Sequence, residues 1–351
     1  MSFLTGLFRE EKKTESTLLI DIGATSVAGA YARYIEGELP IILYTRRLPV
    51  EVREHESREK AMLRALQILC TTLIREGAPV LMRATGSGSA DMILVSLGAP
   101  WQNTSSRTEH FEQETSFTFT KSLVTDTLEK IKAATPEKLL ADESVIGTIL
   151  NGYETRDPYG MSVHRADIII LTSLVSKQVA HEVTAILRSM YHMKNIRMIA
   201  GGSLRYQAMR KAFPHEHDAL ILDATGPTTS LALIRKGLFV SILDVQSSET
   251  VASWVLHVRS ELAEMGKQYP LPRTILLLAH ESDTASLRDA LEAANLGTLW
   301  LSDNPLKIVS VLASHIVGLV RQGTTSLDLR ILLMAIFQQH HFIKEKGSSL
   351  H

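Results

Sequence analysis

The stretch Asp21-Ile22-Gly23-Ala24-Thr25-Ser26 follows the apolar run 17–20, and a similar stretch, Asp223-Ala224-Thr225-Gly226-Pro227-Thr228-Thr229-Ser230, follows the apolar run 219–222. Each reads as a strand that ends at an acidic residue and enters a tight turn of small and hydroxylated residues. A single copy would be explained by backbone conformation alone, because Asp, Gly and Thr are common at such turns. Two copies facing a shared cleft can cradle a phosphate chain with N–H and hydroxyl groups, while their carboxylates hold a hydrated Mg²⁺. The pair predicts a duplicated, two-lobed nucleotide-binding fold.

Two sets of residues form this predicted site. The metal ligands, acting through water, are Asp21 and Asp223. The residues predicted to bind the cofactor, ATP with Mg²⁺, are Asp21, Gly23, Thr25, Ser26, Asp223, Gly226, Thr228 and Thr229.

Composition excludes several other classes of protein. A chain of 351 residues exceeds the size at which single cores usually stop growing, so two or more subdomains are expected. The net charge of −1 gives no electrostatic support for nucleic-acid binding. The single cysteine, Cys70, excludes an internal disulfide framework and a multi-cysteine zinc site. No apolar run approaches the roughly 20 residues of a membrane span, so a cytoplasmic location is the default expectation.

The first residues allow two interpretations. Phe3, Leu4, Leu7 and Phe8 would share one face of a short helix, which is typical of peripheral contact with a membrane or a partner. The alternative is that 1–15 is a frayed leader before the first strand.

The order of predicted elements is strand, strand, strand, helix, and it occurs twice. The first copy comprises strands 17–24, 26–35 and 40–50 and helix 58–76; the second comprises strands 219–224, 228–235 and 238–245 and helix 249–266. A segment of mixed α and β character, 89–164, interrupts the first copy. We therefore predict an α/β protein with a first lobe of 16–88, 165–215 and 305–340, a small α+β insert, a second lobe of 216–304 and a polar tail of 341–351.

At the end of the insert the chain resembles a known family. The segments 151–153 (Asn-Gly-Tyr) and 157–162 (Asp-Pro-Tyr-Gly-Met-Ser) look like the extended strand and turn of the bacterial actin-like proteins, typified by the cell-division protein FtsA and the pilus assembly protein PilM. The segment 198–203 is similar to the family's lead into its second phosphate motif. The resemblance implies a duplicated actin-like, ribonuclease H-like fold with ATP between the lobes. It also implies that 89–164 mediates protein contacts and self-association, with an FtsZ-like protein or the cytoplasmic tail of a membrane protein as partner.

Two motifs depart from the family pattern. Where the second phosphate motif usually has three glycines, this chain has Thr225, Gly226 and Pro227, and proline offers no N–H to a phosphate. Where the adenosine motif usually has glycines, the chain has 279–282 (Ala-His-Glu-Ser), whose His280 and Glu281 would fill space that adenine occupies. Two hypotheses therefore stay open: ATP still binds, or the fold is a scaffold whose nucleotide site has degenerated.

The resemblance also narrows the function. The connection 267–273 is short where FtsA carries a further subdomain, which favours a PilM-like role over an FtsA-like one. We predict an assembly scaffold at the cytoplasmic face of the membrane, in cell division or type IV pilus assembly, with at most weak ATPase activity. The alternatives are a self-polymerising filament and an enzyme of the sugar or acetate kinase type, which would need an aspartate placed as a general base.

Overall fold

The computed structural model describes residues 12–132, 138–155, 157–245, 248–300, 306–323 and 328–347. The predicted contacts of Phe3, Leu4, Leu7 and Phe8 lie outside these residues. Among the described helices, none is both long enough and apolar enough to cross a membrane.

The first lobe is built on a sheet of six strands with four helices. Its elements, in chain order, are β1 Thr14–Ile22, β2 Ser26–Ile35, β3 Ile41–Pro49, α1 Arg58–Thr72, a π-helical turn Leu73–Gly77, α2 Ala78–Thr85 and β4 Met92–Leu97. After the insert come α4 Lys177–Tyr191, β9 Ile196–Ala200 and α5 Gly201–Ala212. The sheet order is β15-β3-β2-β1-β4-β9, in which β15 is the short strand Arg321–Gln322.

The insert is a sheet of four strands covered by one helix. It comprises β5 Gln102–Thr118, α3 Lys121–Lys132, β6 Lys138–Leu150, β7 Tyr153–Glu154 and β8 Ser162–Ser176, in the sheet order β5-β8-β6-β7. Asn151 and Gly152 form the turn between β6 and β7, both at positive φ. The Asn151 side chain accepts hydrogen bonds from the N–H groups of His164 and Arg165 at 3.0 Å, which fixes this turn against β8.

The second lobe repeats the first on a sheet of five strands. Its elements are β10 Ala219–Asp223, β11 Thr229–Arg235, β12 Leu238–Val245, α6 Val251–Gln268, β13 Thr274–Leu278, α7 Glu281–Ala293, a 3₁₀ turn Leu296–Leu299 and β14 Lys307–Ser310. The chain then forms α8 Ala313–Ile316, a 3₁₀ turn Val317–Leu319, β15 and α9 Leu329–Gly347. The sheet order is β12-β11-β10-β13-β14.

The duplication predicted from the two turns is confirmed by strand register. β1 pairs antiparallel with β2 and parallel with β4, and β10 pairs in the same way with β11 and β13. Asp21 lies opposite Ala28, and Asp223 lies opposite Ser230. Both aspartates therefore stand at the carboxyl end of the strand that has a parallel neighbour, which is where α/β sheets place ligand-binding residues.

The lobes are joined through a shared core. One cluster of buried side chains includes Leu19 of the first sheet, Ile221 of the second, and residues of α5 and α9. Every residue of α9 from 331 to 337 is buried. A helix that is apolar all round is buried all round, so α9 packs between the lobes instead of covering one face.

Sheet topology changes three of the predicted boundaries. Met92–Leu97 pairs in parallel with β1, so it belongs to the first lobe and not to a segment starting at 89. Ser162–Ser176 pairs with both β5 and β6, so the insert sheet extends past 164. Lys307–Ser310 pairs with β13, which assigns the start of 305–340 to the second lobe. Short apolar strands carry no mark of which sheet they join, because all three sheets bury the same residue types. At the end of the chain, helix α9 continues to Gly347, well into the predicted tail 341–351.

Candidate functional site

The two turns meet at a buried group of charges. We call it the arginine–aspartate cluster, and its members are Arg47, Arg205, Arg330, Asp21, Asp223 and Asp328. Arg47 lies on β3 of the first sheet, Arg205 on α5 and Arg330 on α9. Helices α5 and α9 both contribute to the core that the two lobes share. Three guanidinium groups face three carboxylates, which balances the formal charge within the protein.

In the first turn, Asp21 is 1% exposed and receives hydrogen bonds from two arginines. Its Oδ2 accepts from Arg47 Nη2 at 3.1 Å and from Arg330 Nη1 at 3.4 Å. Its Oδ1 accepts from the Ser96 hydroxyl at 3.3 Å. Burial raises the pKa of Asp21, but Arg330, Arg47 and Arg205 together hold it below the ordinary value, so the carboxylate is ionised.

The other residues of the first turn also make contacts within the protein. The Gly23 N–H donates to the Ser26 carbonyl at 2.9 Å, which closes the turn. A Cβ at Gly23 would lie 2.8 Å from Arg330 Nη1, so a larger residue there would displace this guanidinium. The Ser26 hydroxyl accepts from Arg47 Nη1 at 2.7 Å. Thr25 is exposed, and its carbonyl accepts from the Val50 N–H at 2.8 Å.

In the second turn, Asp223 is 2% exposed and forms a close ion pair with Arg205. Arg205 Nε donates to its Oδ2, and the Thr225 N–H and hydroxyl donate to its Oδ1 at 3.1 and 2.6 Å. Burial raises the pKa of Asp223, and this effect is outweighed by Arg205 and by the Thr225 hydrogen bond, which lower it. Thr225 therefore bonds to the acid of its own turn.

The remaining predicted residues lie further along this turn. The Thr229 hydroxyl is buried and accepts a hydrogen bond from Trp254 Nε1 at 2.9 Å, which joins this turn to α6. Gly226 and Thr228 are half-buried. Gly226, Pro227 and Thr229 line a cavity of about 310 Å³ beside Trp254. These three residues therefore face the space between the turn and the second-lobe helices.

These residues do not fit a hydrated Mg²⁺ between Asp21 and Asp223. A cation there would compete with three guanidinium groups that already bind the carboxylate oxygens. Among the residues that the structure describes, no group of three or more His, Cys, Asp or Glu side chains is arranged to hold a metal ion. Asp21 and Asp223 both belong to the arginine–aspartate cluster, and arginines bind their carboxylate oxygens where the sequence predicted a metal ion.

The predicted adenosine motif lines a second cavity. Ala279, His280 and Glu281, at the start of α7, border a space of about 300 Å³ together with Arg47 and Arg330. His280 and Glu281 therefore border this space.

The four charged partners Arg47, Arg205, Arg330 and Asp328 were not singled out from sequence. Arg205 and Arg330 carry a weak signal, because a charged side chain beside an apolar or small-residue segment implies a buried partner. Arg330 directly precedes the apolar run of α9, and Arg205 follows the small residues at the start of α5. The sequence cannot reveal which acid each arginine reaches, since Arg330 and Asp21 are far apart along the chain.

Comparisons with known proteins find similar folds at low sequence identity. No family model matches the sequence, and no curated protein matches it. Among solved structures, a PilM–PilN type IV pilus biogenesis complex is similar at 13% identity, over 93% of this chain and 98% of that chain, with a TM-score of 0.57. A Bacteroides thetaiotaomicron protein with an actin-like ATPase fold aligns at 9% identity over 94% and 98%, with a TM-score of 0.47. Together with the duplicated lobes and the inserted sheet, the similarity to PilM shows that this chain has an actin-like fold.

Proposed function

We propose that this chain is an assembly scaffold of the PilM type, which binds a protein partner through its inserted sheet and does not use Mg·ATP. The observation that carries the proposal is the arginine–aspartate cluster. A general base or a metal ligand needs a carboxylate whose oxygens are available. Asp21 and Asp223 are instead held by Arg47, Arg205 and Arg330, which favours a structural role for the cleft.

The inserted sheet has the surface that a partner needs. Tyr153, on β7, is 75% exposed, and Met161, just before β8, is 45% exposed. Exposed apolar side chains of this size can anchor a partner. β7 is an edge strand of the sheet, and such an edge can pair with an added strand. A short extended segment, such as the cytoplasmic tail of a membrane protein, suits this surface.

The insert is also attached to the second lobe, so a partner would contact a fixed surface. The Ile242 N–H of β12 donates to the Ser106 hydroxyl of β5 at 2.7 Å. Asn103 Nδ2 donates to Asp244 Oδ2 at 3.3 Å. A Cβ at Gly147 of β6 would lie 3.0 Å from the Phe239 carbonyl, so the backbones of insert and second lobe are in close contact.

A pull-down from detergent-solubilised membranes of the native host tests the partner. The double variant Tyr153→Ser/Met161→Ser should capture its membrane-protein partner at least about tenfold less than the wild type, because exposed anchors carry most interface energy. The matched control is Leu256→Ser/Val52→Ser, which removes side chains that are 64% and 50% exposed elsewhere and should change nothing. Equal capture by wild type and insert variant would contradict the role of the insert. A partner that is not a membrane protein would contradict its placement at the membrane.

A titration with a fluorescent ATP analogue tests the cleft. We expect no saturable binding that depends on Mg²⁺ up to millimolar nucleotide. Mg²⁺-dependent binding that Asp21→Ala abolishes would overturn the scaffold proposal and restore the prediction of ATP with Mg²⁺ between the lobes.

A role in pilus assembly rather than cell division follows if the captured partner is a pilus membrane protein. Self-association into a filament remains an alternative that light scattering of the purified protein would reveal.

A further inference from the structure

A small groove lies at the seam between the two lobes, outside the cleft that holds the arginine–aspartate cluster. We call it the seam groove, and it is lined by Gln207, Arg210 and Lys211 of α5, Phe337 and His340 of α9, and Phe239 of β12. Among these described lining residues, none belongs to either predicted phosphate turn or to the segment 279–282. Its volume of about 140 Å³ is below the range of small-molecule sites, so it suits one side chain of a partner better than a whole ligand.

The floor of the seam groove is apolar and comes from both lobes. Phe337 is 2% exposed and Phe239 is 7% exposed, and both belong to the shared core. The Phe239 ring packs against the Tyr206 ring, with 5.8 Å between their centroids. The core therefore holds the floor in place, and an apolar side chain that leaves water to contact it gains free energy.

Arg197 places a positive charge beside this floor. It lies on β9, and its guanidinium is 5.5 Å from the centroid of the Phe337 ring. The side chain is half-buried, yet within the described part of the chain it forms no ion pair and donates no hydrogen bond. Its nitrogen atoms are not buried, so they can donate to an acceptor from outside the protein.

The last turn of α5 adds Arg210 and Lys211 to the rim of the groove. The helix dipole favours basic residues at this end of a helix, but it does not explain Arg197, which lies on a strand. The nearby Glu216 directs its carboxylate to Lys307 Nζ at 3.8 Å, and only its carbonyl accepts from Arg210 Nη1, at 3.5 Å. None of the described residues that line the groove is acidic. The rim is therefore basic around an apolar floor.

We propose that the seam groove binds an acidic segment of a partner protein. One apolar side chain of the segment lies against Phe239 and Phe337, and its carboxylates face the basic rim. Charge complementarity selects such a segment, because guanidinium groups match carboxylates in a bidentate arrangement and repel a basic partner. The buried anchor adds affinity at the centre of the contact. This site lies outside the inserted sheet, so it goes beyond the proposed function.

Fluorescence anisotropy of the full chain tests the groove, with a fluorescein-labelled peptide of sequence Gly-Glu-Glu-Phe-Glu-Glu-Gly at low ionic strength, where exposed charges are screened least. We expect saturable binding. Arg210→Glu/Lys211→Glu should weaken it about tenfold or more, because two charges at the rim are reversed. The matched control is Arg259→Glu/Lys267→Glu, which reverses two exposed charges on α6, one of them also in the last turn of its helix. It should leave binding unchanged.

Two further comparisons separate charge from packing. Arg197→Gln removes one charge without altering a helix and should weaken binding at least about threefold. The same peptide with serine in place of phenylalanine should bind about tenfold more weakly, since it offers no apolar side chain to the floor. A peptide with lysine in place of glutamate should not bind.

Equal affinity of the two double variants, equal affinity for the lysine peptide, or no binding at millimolar peptide would each overturn the proposal. Self-association of the chain that Arg210→Glu/Lys211→Glu abolishes would also overturn it, since the groove would then be an interface between copies. Tyr153→Ser/Met161→Ser should bind the acidic peptide as the wild type does. Failure of the insert as a partner site therefore leaves the seam groove standing, and the reverse holds as well.

Discussion

The turn after β1 and the turn after β10 occupy matching positions in the two lobes, yet their aspartates are neutralised in different ways. Asp21 is held from outside its own turn, by Arg47, Arg330 and Ser96. Asp223 bonds to its own turn through Thr225 and receives one guanidinium, from Arg205. The strand register and the acid are the same at both sites, but the counter-ions differ, and that of Asp223, Arg205, comes from α5 of the first lobe.

This comparison predicts how strongly each site depends on a single arginine. Asp21 keeps partners when one is lost, whereas Asp223 has no second cation in contact among the residues that the structure describes. The following changes test that asymmetry from the largest expected effect to the smallest.

Arg205→Met should be the most damaging change. It leaves Asp223, which is 2% exposed, without its guanidinium, and an uncompensated buried charge costs about 3–5 kcal/mol. Urea denaturation would measure the loss in the free energy of unfolding. The double variant Arg205→Met/Asp223→Asn should recover part of it, because the buried charge is removed as well. A loss that the double variant does not reduce would mean that Arg205 acts through packing alone.

Arg330→Met should cost less, about 2 kcal/mol, because Asp21 keeps Arg47 and Ser96 and loses only a long contact. The same denaturation series measures it. If Arg330→Met proved as damaging as Arg205→Met, the two turns would depend equally on a single cation, and the contrast between them would fail.

Acid should weaken both sites together. The folded-state pKa values of Asp21 and Asp223 lie below the ordinary 3.8, so their contribution to stability is complete above that value. It is lost as pH falls from about 3.8 through the folded pKa, because the unfolded chain then binds more protons. The free energy of unfolding should therefore fall as the pH is lowered from about 4 towards 3. Unfolding curves between pH 7 and pH 3 would show this decline, and Asp223→Asn should make it shallower; an unchanged slope in that variant would contradict the assignment.

Thr229→Val and Ser26→Ala should have the smallest effects. Thr229→Val removes the acceptor of Trp254 Nε1, a buried hydrogen bond worth about 1 kcal/mol. In the first lobe, Ser26→Ala removes one acceptor of the half-buried Arg47 and should cost about 0.5 kcal/mol. Thermal unfolding of the two variants side by side gives the comparison. A larger loss for Ser26→Ala would show that the first turn is the more tightly coupled one.

Much of the fold is readable from local sequence. The strands and helices around each turn follow alternating or helical apolar patterns. The strands predicted at 228–235 and 238–245 appear as β11 and β12, with Lys236 and Gly237 between them. The sequence did not indicate which sheets β4, β8 and β14 join, because that depends on packing between distant segments. The sequence predicted the aspartates of the site but not its arginines. Asp21 can be recognised from the turn that follows it, whereas Arg47, Arg205 and Arg330 become neighbours only when β3, α5 and α9 pack together.

The cluster also constrains how this sequence can change over generations. Any single loss of an arginine leaves a buried carboxylate short of a partner, and any single loss of an aspartate leaves a buried guanidinium short of one. A mutational path from this cluster to a metal-binding cleft therefore passes through destabilised single variants. Interlocked ion pairs of this kind are hard to change one residue at a time.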